Sequence, residues 1–502
     1  MARKRSTPLQ NQWTSHCDSA PPQPVRIDFD GSEMTTPPPP PPPASLEFSP
    51  SPQSAAAPGA VLGVAGLIGG NLTVVSGEKG LASSGKCDLS GVNFIFDGII
   101  YHLQNIVKGG FMGGIAKMWY NILPFMIDAV NSAGGQVTNC QVRNFTFDGA
   151  SNVMCDDLSR VERLPGEKKV FWSSYYRGVP HACFIHMVYD QIPERTGMDH
   201  GRHTEYWPRI KNMRHAGGFL SISRATTDDM CALYGMCDRQ YVATSDNRIS
   251  SAFWPRPKDA TEAFQKAKGI TKPYFLAVGQ RFGYKNYAIF WEGIGRLRQE
   301  IRDRYMVVLV GKPPHPDSED PRGMEVKSLQ NVDEEHLALL YSGAAAFVYP
   351  SRMEGFGMPP LEAAACGANL ILGPFHRDRM PQVFGDLASY ATTGEEMEAA
   401  MTKVYEGKKL DPKILIQRAS GWGSDPRHGW NEVAKDYLEY MIHGPFRQGP
   451  KGSRKCGGIV QSPLDCRFVT TETGLVLAPA TTPAGEARKD SYSGGPAGAV
   501  AM

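Results

Sequence analysis

The sequence lacks several patterns that would assign it to common classes of protein. Its ten cysteines include no CxxC pair, and the nearest two are Cys231 and Cys237. Zinc sites and disulfide frameworks usually show paired spacing, so we expect reduced thiols and no zinc. The 53 Lys and Arg residues nearly balance 51 Asp and Glu. This balance excludes the basic excess of proteins that bind nucleic acid backbones.

Long hydrophobic runs are scarce. The longest mild run, residues 55–72, is rich in glycine and alanine and contains Pro58. A membrane-spanning helix needs about 20 strongly apolar residues, so we expect no transmembrane segment. The basic start, MARKRSTPLQNQW, has no apolar segment behind it and is not typical of a secretory signal. We expect a cytoplasmic location, with an organelle transit peptide as the alternative.

Two motifs for cofactors are also missing. A nicotinamide-binding domain needs a GxGxxG turn that opens its first helix, and the segment GGFMGG has a different spacing. No Asp-x-Asp pair follows a predicted strand, and the Asp pairs at 156–157 and 228–229 fit a turn and a helix. The sequence therefore predicts neither a nicotinamide cofactor nor a metal motif.

The composition divides the chain into two tails and a middle. Residues 1–85 include seven consecutive prolines and predict a disordered tail, with a docking segment for a proline-recognition domain as the alternative. Residues 446–502 are predicted to be mostly disordered. Between the tails we predict two domains, residues 86–253 and 273–445, which a polar, proline-bearing linker at 254–272 joins.

Both predicted domains alternate apolar runs with helical spacing. In the first, VNFIFDGII is followed by a glycine-rich turn and by a helix with apolar residues at Ile115, Met118, Trp119 and Ile122. In the second, the predicted strands are YFLAVG, YMVVLVG, AAFVYPS and ANLIL, with one helix over 286–301 and another after Asp333. This alternation predicts an α/β protein with two parallel, doubly wound, Rossmann-like domains.

The segment SRMEGFGMPPLEAAACG, residues 351–367, should cross a ligand crevice, because ligands of such sheets bind beyond the carboxyl ends of the strands. Gly355 and Gly357 allow the backbone to approach a ligand, and the prolines start a helix whose N-terminus suits a phosphate. Glu354 is expected to point into the crevice. Glu362 is predicted in the first helical turn, as a ribose ligand or as an ordinary helix-dipole residue.

This segment resembles the hallmark of family 4 of the retaining glycosyltransferases, in which seven residues separate two glutamates. FLAVGQRFGYKN, LLYSGAAAFVYPS and PQVFGDLASY resemble further stretches of that family, over roughly residues 92–441. The resemblance implies the GT-B fold, in which two Rossmann-like domains face a central cleft. It also implies transfer of a hexose, mannose or glucose, from a GDP- or UDP-sugar to a hydroxyl of a glycan or lipid-linked sugar.

The same resemblance implies roles for individual residues. Glu354 would contact the donor sugar, and Arg281 and Lys285 would grip the diphosphate, without an essential metal or cofactor. Glu362 would bind the ribose. A solvated loop is the alternative reading of the two cations.

Further donor and acceptor contacts follow from the resemblance. Backbone amides near Phe356 and Gly357 would bind phosphate. Gly113 and Gly114 match a turn that approaches the donor and the acceptor, or they serve only tight packing. Ser223 matches a serine placed on the acceptor side, and it also fits a plain helix N-cap.

One position departs from the family. Relatives often have His-Asp before x-Ile-Pro-Glu, whereas this chain has Tyr189 and Asp190. Tyr189 is predicted to contact the donor sugar without the charge of an imidazole. His186 would lie on the opposite face of a strand and is predicted to be structural. Asp190 is either an acceptor-side carboxylate or a structural hydrogen-bond acceptor.

Other functions stay open at this point. A sugar phosphorylase or a nucleotide-sugar epimerase can share the fold. An inactive nucleotide-sugar-binding module would fit the change at Tyr189, although the intact glutamate pair argues against it. Peripheral contact with a membrane is a further expectation.

Overall fold

The computed structural model describes the chain from residue 87 to residue 477, with gaps. The described residues are 87–103, 113–142, 145–155, 157–174, 177–179, 184–196, 213, 216–234, 241–281, 283–311, 322–408, 411–425, 428–444, 468–470 and 475–477. They all belong to one unit, Gly85–Met502. The tail predicted at 1–85 and most of 446–502 lie outside the described residues.

Parallel strands form the first sheet, in the order β3-β2-β1-β4-β5-β6-β7. The strands are β1 (Val92–Asp97), β2 (Gln136–Gln141), β3 (Ser151–Met154), β4 (Lys168–Ser173), β5 (Phe184–Val188), β6 (Gly218–Ser221) and β7 (Val242–Thr244). The helices of this region are α1 (Ile99–Leu103), α2 (Gly114–Ser132), α3 (Ile192–Thr196) and α4 (Arg224–Tyr234), with a 3-10 turn at Leu158–Arg163. The register of every pair in this sheet is parallel.

The second sheet is also parallel, in the order β10-β9-β8-β11-β12-β13. Its strands are β8 (Tyr274–Val278), β9 (Met306–Val310), β10 (Glu325–Leu329), β11 (Ala346–Tyr349), β12 (Leu370–Leu372) and β13 (Ser389–Tyr390). The helices are α5 (Lys258–Lys268), α6 (Ala288–Arg296), α7 (Gln299–Arg304), α8 (Glu334–Gly343), α9 (Met358–Ala365), α10 (Pro374–Arg379), α11 (Gly394–Tyr405), α12 (Pro412–Ala419) and α13 (Trp430–His443). A 3-10 turn covers Gly283–Lys285, and a π-type turn covers Ser420–Ser424. These two sheets confirm the predicted α/β class with two doubly wound halves.

Local sequence signals place several helix ends where the sequence predicts them. The Asp333 carboxylate accepts a hydrogen bond from the His336 N–H at 2.8 Å and caps α8. The Ser223 hydroxyl accepts one from the Thr226 N–H at 3.0 Å and starts α4. Gly367 follows α9 with a φ of 77°, a left-handed conformation that favours glycine.

Two local predictions differ from the structure. The single helix predicted over 286–301 was wrong, because Leu297 and Arg298 have extended backbones and separate α6 from α7. Glu362 is the fifth residue of α9 and therefore lies in its second turn, not its first. Within the predicted linker at 254–272, helix α5 forms and packs against α8.

The C-terminal elements contact the first sheet and its helices. Helix α13 packs against α2, and the Tyr437 hydroxyl donates a hydrogen bond to the Ser221 carbonyl at 3.1 Å. A short antiparallel pair, β14 (Phe468–Thr470) and β15 (Leu475–Leu477), packs on α13 and α2. None of the helices in the described part of the chain has the length and apolar character that a membrane crossing requires.

The prediction of reduced thiols was wrong for at least one pair. Cys140, at the end of β2, and Cys155, just after β3, form a disulfide with their Cα atoms 5.2 Å apart. The two strands are neighbours in the sheet, so the pairing depends on tertiary structure that cysteine spacing does not show. Cys366 is a free, buried thiol.

Loss of this disulfide should destabilise the protein. The bond closes a loop of 15 residues. A loop of this length predicts a loss of about 3 kcal/mol in the free energy of unfolding when the bond is removed. We expect urea unfolding under oxidising conditions to give Cys140→Ser, Cys155→Ser and the double variant the same free energy of unfolding. This value should lie below that of the disulfide-bonded wild type. Equal stability of wild type and variants, or free thiols at both positions in peptide mapping, would contradict the bond.

Candidate functional site

An ion pair joins two loops at the carboxyl end of the second sheet. The Lys285 ammonium lies 2.6 Å from the Glu354 carboxylate and donates a hydrogen bond to the Tyr349 hydroxyl at 2.7 Å. Lys285 ends the 3-10 turn after β8, and Glu354 follows β11, which pairs with β8. The side chains of Lys285 and Glu354 are only 13% and 9% exposed, so solvent screens the pair little.

Arg281 lies at the ends of two neighbouring strands of the same sheet. Its guanidinium donates hydrogen bonds to the carbonyls of Gly279 at 2.9 Å and Val310 at 3.3 Å. Gly279 follows β8, and Val310 ends β9. Arg281 is buried, so a second cation is fixed at the sheet edge that carries Lys285.

The loop after Glu354 is held by the first domain. The Gly355 carbonyl accepts hydrogen bonds from the Ser223 hydroxyl at 2.5 Å and from the Thr226 hydroxyl at 3.2 Å. A Cβ atom on Gly355 would lie 2.0 Å from the Tyr189 carbonyl oxygen. Only glycine therefore fits where the loop meets the end of β5 and the start of α4.

Gly357 starts helix α9 with a φ of 90°. No side chain in the described part of the chain caps this N-terminus, whereas Asp333, Thr393 and Asp411 cap the helices that follow them. Pro359 and Pro360 have no N–H, so the backbone donors that this N-terminus offers to an anion are those of Gly357 and Met358. Phe356, the residue before, is buried with its ring centroid 5.8 Å from that of Trp422.

A histidine that the sequence analysis overlooked supports this turn. A Cβ atom on Gly357 would lie 2.6 Å from Nε2 of His376, and the ring also contacts Tyr349 and Phe384. Among the described residues neither of its ring nitrogens has a hydrogen-bond partner. Burial lowers the pKa of His376 to about 3, with a smaller contribution from Lys285, so the imidazole is neutral near pH 7. No motif marks this position in the sequence.

Glu362 is buried one turn into α9. Its carboxylate accepts a hydrogen bond from the Tyr341 hydroxyl of α8 at 3.0 Å. Burial raises the pKa of Glu362, Lys117 lowers it, and Glu334 raises it. Because Glu362 lies beyond the first turn, its burial and these neighbours govern its charge more than the helix terminus does.

The glycine turn of the first domain reaches the second domain. A Cβ atom on Gly114 would lie 3.2 Å from the terminal methyl group of Met358, the first residue of α9. Gly113 is the N-cap position of α2, with extended backbone. The predicted pair Gly113 and Gly114 therefore lies beside the N-terminus of α9.

Tyr189, which stands where the resembled family often has a histidine, is turned towards the core. Tyr189 is 2% exposed, and its hydroxyl accepts a hydrogen bond from the Trp119 indole N–H. Contact between its side chain and a donor sugar stays a prediction. His186 is buried in β5 beside Phe184 and Phe219, and burial lowers its pKa to about 3, which confirms the predicted structural position.

Carboxyl groups cluster at the end of β5. Asp190 accepts a hydrogen bond from the Ile192 N–H at 3.1 Å, and Glu194 accepts one from the Tyr234 hydroxyl. The pKa of Asp190 is raised to about 6, chiefly by burial, with Glu354 acting in the same direction and the Ile192 N–H and Lys285 acting against it. Burial raises the pKa of Glu194 to about 7, against the hydrogen bond from Tyr234.

The stability of the protein should consequently depend on the ionisation of Asp190. A carboxyl with a higher pKa in the folded than in the unfolded chain costs stability as it ionises, here between about pH 4 and pH 6. In Asp190→Asn the decline of stability over this range should be smaller, with a residual decline from Glu194. Urea midpoints across this range measure the difference, with the exposed Asp128→Asn as control. Identical profiles of Asp190→Asn and wild type would contradict the assignment.

The chain is similar to known glycosyltransferases in sequence and structure. Residues 259–412 match the family model of glycosyl transferases group 1. O-antigen chain mannosyltransferase B of Escherichia coli is 27% identical over 220 residues, 42% of this chain and 56% of the relative. Alpha-maltose-1-phosphate synthase of Mycolicibacterium smegmatis is 22% identical over 295 residues, 53% of this chain and 74% of the relative.

A second mannosyltransferase has a shorter match. O-antigen chain mannosyltransferase RfbU of Salmonella typhimurium is 28% identical over 170 residues, 32% of this chain and 43% of the relative. The chain thus spans about half the length of the two mannosyltransferases that it matches.

A solved structure shares the fold. WaaG, a glycosyltransferase involved in lipopolysaccharide biosynthesis, superposes with a TM-score of 0.52 at 12% identity, over 70% of this chain and all of WaaG. The described chain therefore has the GT-B fold, and its residues 259–412 match glycosyl transferases group 1.

Proposed function

We propose that this protein is a retaining glycosyltransferase of family 4. It transfers a hexose, mannose or glucose, from a GDP- or UDP-sugar to a hydroxyl group of a glycan or a lipid-linked sugar. The observation that carries the proposal is the half-buried Lys285–Glu354 ion pair at the carboxyl end of the second sheet, in a segment that matches glycosyl transferases group 1. Two of the matched relatives are named mannosyltransferases, which favours mannose.

Each charged group has a task in this reaction. The bond between the anomeric carbon and the diphosphate breaks, and negative charge grows on the leaving phosphate. Lys285, Arg281 and the backbone N–H groups of Gly357 and Met358 would stabilise that charge, which is why no essential metal is proposed. The acceptor oxygen bonds to the anomeric carbon on the same face, and its proton passes to the departing phosphate oxygen. Glu354 would orient the sugar hydroxyls while it keeps Lys285 in place.

The remaining groups would bind and orient the substrates. Glu362 would accept hydrogen bonds from the ribose hydroxyls, and the turn at Gly113 and Gly114 would line the donor side. Ser223 fixes the loop through the Gly355 carbonyl, so its effect on transfer is positional. Asp190 remains the proposed acceptor-side carboxylate.

The cellular setting is also a proposal. A cytoplasmic location and contact with a membrane surface stay predictions. The Cys140–Cys155 disulfide weighs against the cytoplasm, because cytosolic thiols are normally kept reduced.

Two experiments on the full chain test the proposal. Calorimetry with UDP, GDP and ADP should detect one preferred nucleotide, and Glu362→Gln should bind it more weakly. Proton NMR of the product formed from the matching sugar donor should show the anomeric configuration of the donor. Absence of binding to any of the nucleotides, or an inverted product, would overturn the assignment.

A further inference from the structure

An arginine of the second domain reaches a buried carboxylate of the first. Arg379, the last residue of α10, donates hydrogen bonds to the Asp229 carboxylate at 2.9 Å and to the Ala225 carbonyl at 2.6 Å. Both partners belong to α4. The side chain of Asp229 is only 5% exposed, whereas that of Arg379 is 32% exposed. A charged pair therefore fastens the end of α10 to α4.

The two helices that this pair joins also hold the loop that carries Glu354. Two hydroxyl groups at the start of α4 donate hydrogen bonds to the Gly355 carbonyl. Helix α10 contains His376, whose Nε2 lies 2.6 Å from the position of a Cβ atom on Gly357. The loop is thus in contact with α4 at one glycine and with α10 at the next. Arg379 connects the two helices on which the loop rests.

A second arginine pairs with Asp229 from within the first domain. Arg195 of α3 donates hydrogen bonds to the same carboxylate oxygen, from Nε at 3.1 Å and from Nη2 at 2.7 Å. A buried carboxylate that loses its cation is strongly destabilising. Because Arg195 remains beside Asp229, the separation of Arg379 from α4 would not leave a buried charge unpaired. The contact between the domains can therefore open without disrupting the first domain.

We propose that Arg379 is a positioning residue for sugar transfer, which docks α10 onto α4 through Asp229 and thereby holds the Glu354 loop against the first domain. This inference rests on the proposed function, in which Glu354 orients the donor sugar. It gives the two arginines different tasks. Arg195 stabilises the first domain, and Arg379 sets the position of the loop. A purely structural cluster would give both arginines the same kind of effect.

The first test compares the two arginines in kinetics and in stability, with the full chain. Arg379→Met should lower kcat for nucleotide release from the preferred sugar donor by about tenfold, the size expected for loss of a hydrogen bond to a charged group. The KM for the donor should change little, because the donor is proposed to bind the second domain. Arg195→Met should lower the urea midpoint more than Arg379→Met does, and its kcat should stay close to that of the wild type.

A lysine at position 379 should rescue the activity. Both contacts of Arg379 start from one nitrogen, Nη2, so a single ammonium group can replace them. Arg379→Lys should therefore recover most of the kcat that Arg379→Met loses. The matched control is Arg377→Met, on the same helix, because the Arg377 side chain is 52% exposed and pairs with the adjacent Asp378. This control should keep the wild-type kcat.

Hydrogen exchange tests the position of the loop without a substrate. In Arg379→Met the backbone amides of residues 351–358 should exchange faster than in the wild type, because the loop loses part of its support. Arg379→Lys and Arg377→Met should exchange as slowly as the wild type. Unchanged exchange of this segment in Arg379→Met would overturn the proposal. Parallel losses of kcat and of urea midpoint in Arg379→Met and Arg195→Met would overturn it as well.

The wild type distinguishes the two possible failures. If it binds no nucleotide and releases none from GDP-, UDP- or ADP-sugars, the proposed function fails and the role of Arg379 in transfer falls with it. If the wild type releases nucleotide and Arg379→Met has the same kcat, only the role of Arg379 is refuted. A raised KM with unchanged kcat in Arg379→Met would also refute that role, since it would assign Arg379 to donor binding.

Discussion

Glu354→Gln is expected to lower the rate of sugar transfer by about a thousandfold, the upper range for removal of one electrostatic contact at a reacting centre. The amide has nearly the shape of the carboxylate and can still accept the hydrogen bond from Lys285. What is lost is the negative charge that lies 2.6 Å from the ammonium at a site largely shielded from solvent. The rate of nucleotide release with a saturating donor measures this effect.

The binding of the nucleotide supplies the control for this variant. Glu354 is proposed to contact the sugar, so the Kd for the nucleoside diphosphate should change little while kcat falls. Glu395→Gln, an exposed glutamate of the same domain, should keep wild-type activity. A Glu354→Gln protein with full transfer activity would refute the catalytic assignment.

Gly355→Ala should reduce kcat/KM by about a hundredfold, because a displacement of about 1 Å at a reacting centre costs this much. The added Cβ would lie 2.0 Å from the carbonyl oxygen of Tyr189 and 3.0 Å from Cδ1 of Ile222. A carbonyl oxygen in the backbone cannot rotate away as a side chain can. The loop would have to move, together with Glu354 and the hydrogen bonds from Ser223 and Thr226.

A second glycine tests whether this effect is local. At Gly421 an added Cβ would meet no atom within 4 Å, and the residue needs no left-handed backbone. Gly421→Ala should therefore keep wild-type kcat/KM. Wild-type activity of Gly355→Ala would show that the contact between the loop and the first domain does not position Glu354.

The local elements of both domains could be predicted from the sequence. Apolar runs such as YMVVLVG are buried strands. Asp333 caps the start of α8 with its side chain, and Gly367 follows the end of α9 in a left-handed conformation. The EGFG segment lies at the sheet edge where the order of strands and helices places it. The close neighbours of its two glycines are the Tyr189 carbonyl and the His376 ring, and their predicted approach to a ligand stays a prediction.

Contacts between distant segments could not be predicted in this way. The pairs Cys140–Cys155 and Lys117–Glu334 depend on which strands and helices become neighbours in space. The burial of Tyr189 depends on Trp119, whose indole N–H gives its hydroxyl a partner within the core. The spacing of residues in a single sequence contains none of this information. The charge of a buried group such as Asp190 depends on these tertiary contacts, so it could not be predicted either.

One assay of the full chain tests the central claim most directly: the release of nucleoside diphosphate from a panel of GDP-, UDP- and ADP-sugars, with wild type and Glu354→Gln measured side by side. The account predicts that the wild type releases nucleotide from one donor of the panel, with GDP-mannose as the expected one. It also predicts that this release is almost completely lost in the variant. Equal release by wild type and variant would contradict the assignment of the Lys285–Glu354 pair as the catalytic centre. Absence of release from every donor, together with absence of nucleotide binding, would contradict the proposed transferase itself.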